Sequence, residues 1–215
     1  MRALPRRIAK GMKGVWGIDG AYTFYTIRTY PIERAFLVDT DMTPIVRENQ
    51  RTMKHLSLIE EDFGKRSTVE RIGNVDAVFL FDVLLHQVDP DWDEILPLYA
   101  DQTSSFLIYN QQFIAGTKTV RLPDLGREQD FEHVRMDADS PGYKNLFERP
   151  YEMHPRYRKP YRDVHNVWQW GITDDDLLAV MEKIGFRLLY RKNHGRFSDF
   201  TGFENHAFVF TRQMS

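Results

Sequence analysis

The chain has 215 residues, 42% hydrophobic and 28% charged, enough for one globular domain with a sizeable core and too few for two independent ones. A formal charge of −2 provides no global positive field for nucleic acid or anionic lipid. Zero cysteines exclude disulfide scaffolds, thiolate metal centres and a cysteine nucleophile. A cysteine-free chain is compatible with a reducing compartment, so a cytoplasmic protein is the expectation. Apolar runs such as 78–81 and 208–210 fall far short of the ~20 residues that span a bilayer, and no transmembrane segment is expected.

Residues 1–14 carry Arg2, Arg6, Arg7, Lys10 and Lys13 with no acid and no apolar stretch of signal-peptide length after them, which reads as a solvated arm. Short β-branched and aromatic runs then alternate with helical patterns, the mark of βα units and a mainly parallel sheet. Strands are expected over 14–18, 35–39, 56–60, 75–81 and 105–109. Between them, 43–54 reads as a helix capped by Thr43 with Pro44 in its first turn, and 92–100 as a second helix perturbed by Pro97. The clearest helix follows Gly171. Thr173 caps it, Asp174, Asp175 and Asp176 complement its dipole, Leu177, Leu178, Val180, Met181 and Ile184 build its apolar face, and Gly185 stops it. Two further strands are expected over 186–191 and 206–211.

Residues 111–170 show no clean periodicity and are rich in Pro, aromatic and charged residues. A segment this long inside a compact domain is usually a lid, a binding loop or a small subdomain. The chain therefore divides as one domain over 1–215, with 111–170 as an inserted lid that binds an acceptor.

A strand that ends at a glycine-containing turn, followed by a strand ending in an acid, is how an α/β sheet builds a nucleoside site. The pieces here are GIDGAY (17–22) and LVDTD (37–41), with Asp39 lying 19 residues beyond Gly20. At the third strand, LIEEDF (58–63) places Asp62 and Phe63 where a carboxylate and a ring can meet a purine. At the fourth, VDAVFLFDVLLHQV (75–88) is an apolar strand running into Asp82 and a short turn that holds His86.

The order of these features resembles the class I S-adenosylmethionine-dependent methyltransferases, as does GITDDDLLAVMEKIGFRLLYRK (171–192) with the strand after it. The resemblance covers most of the chain outside 111–170. It implies a Rossmann-like α/β three-layer sandwich with a seven-stranded, mainly parallel sheet whose last strand is antiparallel. It implies S-adenosylmethionine as cofactor, with Gly17, Asp19, Gly20 and Ala21 around the methionine moiety, Asp39 and Thr40 at the ribose, Asp62 and Phe63 at the adenine, and Asp82 and Val83 forming the floor near the sulfonium. Asp19 and Ala21 stand where the family commonly has glycine, so the loop is degenerate.

His86 and His165 are candidate general bases, since an imidazole titrates near neutral pH, although a hydrogen bond to a neighbouring backbone carbonyl is the simpler reading of His86. The segment HPRYRKPYRDVH (154–165) offers Tyr157, Arg158 and Arg162, and Trp168 follows, as candidates for binding the acceptor or for pinning the insertion. No metal-binding motif, GxSxG elbow or phosphate-binding GK[ST] loop is present. The expected function is methyl transfer to an oxygen or nitrogen of a small-molecule or carbohydrate-like acceptor. The neutral overall charge argues against nucleic acid as a partner. The basic arm and aromatic insertion are surfaces through which a homo-oligomer could form. The alternative is a non-catalytic binding or assembly module on the same fold that has lost its cofactor.

Overall fold

The computed structural model describes residues 7–12, 19–122, 148–155, 158–163, 169–196 and 202–213. The first strand is β1 (Arg7–Met12), six residues inside the stretch expected as a solvated arm and ahead of the expected strand at 14–18. It pairs in parallel with β2 (Arg34–Asp39) on one side and β4 (Ala77–Phe81) on the other. Strand β3 (Leu56–Glu60) pairs in parallel with β2, and β5 (Ser105–Phe113) with β4. At the far end β9 (Phe203–Arg212) runs antiparallel between β5 and β8 (Phe186–Asn193). The hydrogen-bonded order is β3-β2-β1-β4-β5-β9-β8. The order reverses between β1 and β4, and in open α/β sheets the ligand crevice lies at such a point, outside the carboxyl ends of the strands. A separate two-stranded pair is formed by β6 (Val120–Leu122) and β7 (Gln169–Gly171).

The α/β layering expected from the sequence is what the chain adopts. On one face, Phe24 of α1 (Ala21–Thr29) and Val46 of α2 (Pro44–Arg51) pack on Ala35, Leu37 and Ala77 of the sheet. On the other, α3 (Arg66–Ile72), α4 (Trp92–Ala100) and α5 (Asp174–Lys183) bury Val69, Ile72, Ile95, Leu96, Leu177 and Met181 against Phe36, Val38, Val78, Leu80, Phe106 and Ile108. Strands covered on both faces read as unbroken apolar runs, which is why β2 and β4 stand out in the sequence.

The helix ends follow side-chain chemistry. The Thr43 hydroxyl accepts the Val46 N–H at 3.3 Å, and Thr173 accepts the Asp176 N–H at 3.3 Å. Asp91 and Glu94 form a reciprocal capping box at the start of α4, with Pro97 accommodated inside that helix. Gly185, at a φ of 84°, ends α5.

Candidate functional site

The carboxyl ends of β2, β3 and β4 each deliver an acid to one edge of the sheet. Asp39 closes β2, half-buried, with Oδ1 accepting the Asp41 N–H at 3.2 Å. Thr40 follows it. Glu60 closes β3 and is ion-paired to Arg47, a contact that holds its carboxyl below the usual range. Asp62 lies two residues on, with Oδ1 accepting the Gly64 N–H at 2.8 Å. Gly64 is required there, because a Cβ would sit 2.7 Å from Cδ of Pro90. Asp82 follows β4 at a φ of 49°, its N–H donating to the Tyr109 carbonyl at 2.8 Å, and Val83 is buried behind it.

The turn leading into α1 meets this edge. Asp19 and Gly20 both have positive φ, at 47° and 72°. A Cβ on Gly20 would lie 3.1 Å from Phe24 and 3.2 Å from Leu37, so the chain here passes closer to the sheet than an ordinary side chain permits. The Thr43 hydroxyl donates to Asp19 Oδ1 at 2.7 Å and thereby ties the first loop to the start of α2. Ala21 opens α1, and Tyr22 beside it sets its ring edge-on to Phe81 at 5.1 Å. Tyr109 lies edge-on to the same Phe81 at 6.3 Å. Burial first, then the neighbouring Asp82 and Tyr22, push the Tyr109 hydroxyl up in pKa. Aromatic rings and one acid thus gather where the end of β4 lies beside the middle of β5.

The structure redistributes several of the expected roles. The Phe63 ring is 7% exposed and stacked on Tyr99 at 4.2 Å, so it belongs to the core and presents no face to a purine. Its carbonyl accepts the Tyr99 hydroxyl at 2.7 Å. Arg162, expected among the acceptor contacts, sits instead on Asp62: Nη2 is 2.8 Å from Oδ2, and the two side chains are only 8% and 13% exposed. Around that pair, Arg162 Nη1 donates to the Tyr151 hydroxyl at 3.5 Å, Tyr151 donates to Asp89 at 2.6 Å, and Lys159 reaches Asp41 at 3.4 Å. Asp163 lies 3.7 Å from Arg162 Nε, and burial raises its carboxyl pKa against that pull. Residues 148–155 and 158–163 therefore strap across Asp41 and Asp62, each two residues beyond the end of its strand, β2 or β3. Arg158 is exposed on this strap at a φ of 50°.

His86 sits half-buried in the 3-10 turn Leu84–His86, its N–H donating to the Val83 carbonyl at 3.2 Å. Gly17, Tyr157, His165 and Trp168 lie outside the described residues. Among the described residues no cluster of His, Asp and Glu is arranged to hold a metal, and no helix is long and apolar enough to cross a membrane.

No family model matches the sequence, and no curated protein matches it. Solved structures match it in shape. The 1,6-didemethyltoxoflavin-N1-methyltransferase of Burkholderia thailandensis, solved with 1,6-didemethyltoxoflavin and S-adenosylhomocysteine, aligns with a TM-score of 0.60 at 12% identity, over 97% of this chain and 72% of its own. An O-methyltransferase family protein of the same organism aligns at 0.54 and 13% identity, over 98% of this chain and 52% of its own. The chain has the class I methyltransferase fold. Magnesium protoporphyrin IX methyltransferase from Synechocystis PCC 6803, solved with S-adenosylmethionine, aligns at 0.53 and 9% identity, over 96% of this chain and 70% of its own. The methyltransferase fold here thus spans about half the length of one of these proteins and under three quarters of the other two.

Sequence reading alone missed the placement of Arg162 on Asp62 and a second buried pair beside β9. His206 Nδ1 donates to Asp174 Oδ1 at 2.9 Å, and Arg191 pairs with the same carboxylate. The acid at the start of α5 was legible as a dipole partner, but its pairing across the sheet was not.

Proposed function

We propose that this chain is an S-adenosylmethionine-dependent methyltransferase acting on an oxygen or nitrogen of a small-molecule acceptor, with residues 111–170 as the inserted acceptor-binding region of a single domain. The observation that supports this reading is the strand order β3-β2-β1-β4-β5-β9-β8, in which the parallel strands β2 and β4 carry Asp39 and Asp82 to one edge beside the turn at Gly20. The residues at that edge fit the cofactor. The close approach at Gly20, beside Asp19 and Ala21, suits the methionine moiety, Asp39 with Thr40 suits ribose hydroxyls, and Asp82 with Val83 forms the floor under the sulfonium. When bound, the cofactor supplies an electrophilic methyl group, so the chain's own task is alignment of the acceptor. Tyr22, Phe81 and Tyr109 provide apolar surface that excludes water on the α1 face of that edge. His86, and His165 in the inserted region, are the candidate bases for an acceptor whose proton must leave.

Thermal unfolding with S-adenosylmethionine and S-adenosylhomocysteine tests this. Ligand at about 100 times its dissociation constant stabilises by about 2.7 kcal/mol, a melting shift of roughly 5–10 °C. The shift is expected to vanish in Asp39→Ala. No shift with either ligand sinks the proposal.

One observation favours a second reading, a binding module that no longer takes the cofactor. Asp62, the acid proposed for adenine, is engaged by Arg162, and Asp41 by Lys159. The two readings separate on the same melting experiment.

A further inference from the structure

The inner face of β5 changes character along its length. Strand alternation puts Phe106, Ile108, Asn110 and Gln112 on one side, and the first two belong to the core beneath α3, α4 and α5. The last two are amides with 0% exposure. Asn110 Nδ2 donates to the Gln111 carbonyl at 3.0 Å, but its Oδ1 has no hydrogen-bond partner, and neither Nε2 nor Oε1 of Gln112 has one. Unpaired buried amides are costly and rare, and each calls for a reason such as strain, a catalytic role, an ion or ordered water.

Their surroundings are polar and specific. Across the antiparallel pairing with β9, His206 stands opposite Asn110 and Glu204 opposite Gln112. His206 is held at Nδ1 by Asp174, and its Nε2 lies 3.5 Å from Glu204 Oε2. On the other flank β4 turns at Asp82 into the Leu84–His86 turn, and Trp170 Nε1 donates to the Gln87 carbonyl at 3.0 Å, holding β7 against that turn. The two amides therefore end the core face at the carboxyl edge of β5, one strand away from Asp82.

We infer that Asn110 and Gln112 are the recognition floor of the acceptor site, and that the acceptor presents a hydrogen-bond donor beside an acceptor, as an amide, a lactam or a heteroaromatic ring with N–H next to C=O does. A primary amide has two donor hydrogens and one acceptor oxygen, so Gln112 pairs with such an edge through two antiparallel hydrogen bonds, and Asn110 Oδ1 takes one further N–H. A carboxylate or phosphate has no donor for either amide oxygen and meets Glu204 and Asp174 nearby, so an anionic acceptor is disfavoured twice. The fate of the bound molecule rests on the methyltransferase reading; its recognition does not.

The test uses Gln112→Met, which keeps the length of the side chain and removes the amide. Without ligand this variant is expected to melt roughly 2–10 °C above wild type, because an unpaired buried amide is gone. A lower melting temperature means that the amide is satisfied within the fold and overturns the inference. Uracil and 2-pyridone are then titrated against wild type and variant with S-adenosylhomocysteine present, and benzoate serves as the donor-free control. Binding of both lactams to wild type, at least tenfold weaker in Gln112→Met, with no binding of benzoate, is the expected result. Equal binding of benzoate, or no binding of either lactam, overturns it. S-adenosylhomocysteine binding that persists while lactam binding fails removes the acceptor assignment alone. Lactam binding without any response to S-adenosylhomocysteine removes the methyltransferase reading alone.

Discussion

Replacing Arg162 by methionine separates the contribution of the strap to stability from its effect on cofactor binding. Removing one partner of a buried ion pair costs about 3–5 kcal/mol where the other charge is left uncompensated. Asp62 keeps the Gly64 N–H and some exposure to solvent, so a loss of about 2–3 kcal/mol is expected here, a melting temperature lower by roughly 4–12 °C. The same change frees the carboxylate proposed for the adenine amino group. If cofactor binding must first displace Arg162, the variant no longer bears that cost, and its dissociation constant for S-adenosylhomocysteine falls about tenfold, equivalent to 1.4 kcal/mol. Isothermal titration calorimetry reads the affinity and denaturant unfolding reads the stability. Lys159→Met is the control, since its exposed pair with Asp41 is worth less than about 1 kcal/mol and should move neither quantity much. A destabilised Arg162→Met with unchanged or weaker affinity refutes competition between strap and cofactor at Asp62.

Two further outcomes follow from the same edge of the sheet. Thr43→Ala removes the cap of α2 and the hydroxyl that tethers Asp19, and a loss of about 1–2 kcal/mol by urea unfolding is expected; unchanged stability means that Asp19 holds its left-handed conformation without the tether. For Asp163, burial lifts the folded pKa above the unfolded value, so the folded state favours the protonated carboxyl, and stability is lost as pH rises through that window. Asp163→Asn is therefore expected to be more stable than wild type at neutral pH and to converge with it in strong acid. A variant less stable at neutral pH means that the pull of Arg162 outweighs burial.

Most of the sheet was legible because its strands are covered on both faces and write themselves as apolar runs, as in 35–39 and 75–81. β1 was not, because Arg7 and Lys10 interrupt its six residues and Gly11 adds no side chain. Placing β1 at 7–12 also recasts the glycine loop. Gly14, Gly17 and Gly20 all fall between β1 and α1, a threefold glycine spacing within the segment that joins them. Helix α1 hid for a related reason: AYTFYTIRT is rich in aromatic and β-branched residues that favour strands, and its helicity comes from packing Phe24 onto the sheet. The expected end of β5 at 109 stopped four residues early, because NQQF looks like a polar turn unless the alternation is followed to Gln112. The acids after β2, β3 and β4 were readable from position alone. That Arg162 would sit on one of them was not, since their sequence separation leaves no local pattern to read.

The antiparallel insertion of β9 between β5 and β8 also sets an order of events during synthesis. Until the chain has been made through Arg212, β5 is an open edge carrying Phe106, Ile108 and Phe113, with nine residues of unpaired backbone ready to pair with another molecule. The nascent βα half can assemble early from local crossovers, whereas the pairing that closes the sheet joins segments about a hundred residues apart in sequence and comes late. A product stopped before Phe203 would retain β1 to β5 and aggregate through that edge, which makes the late hairpin a seal on the whole sheet.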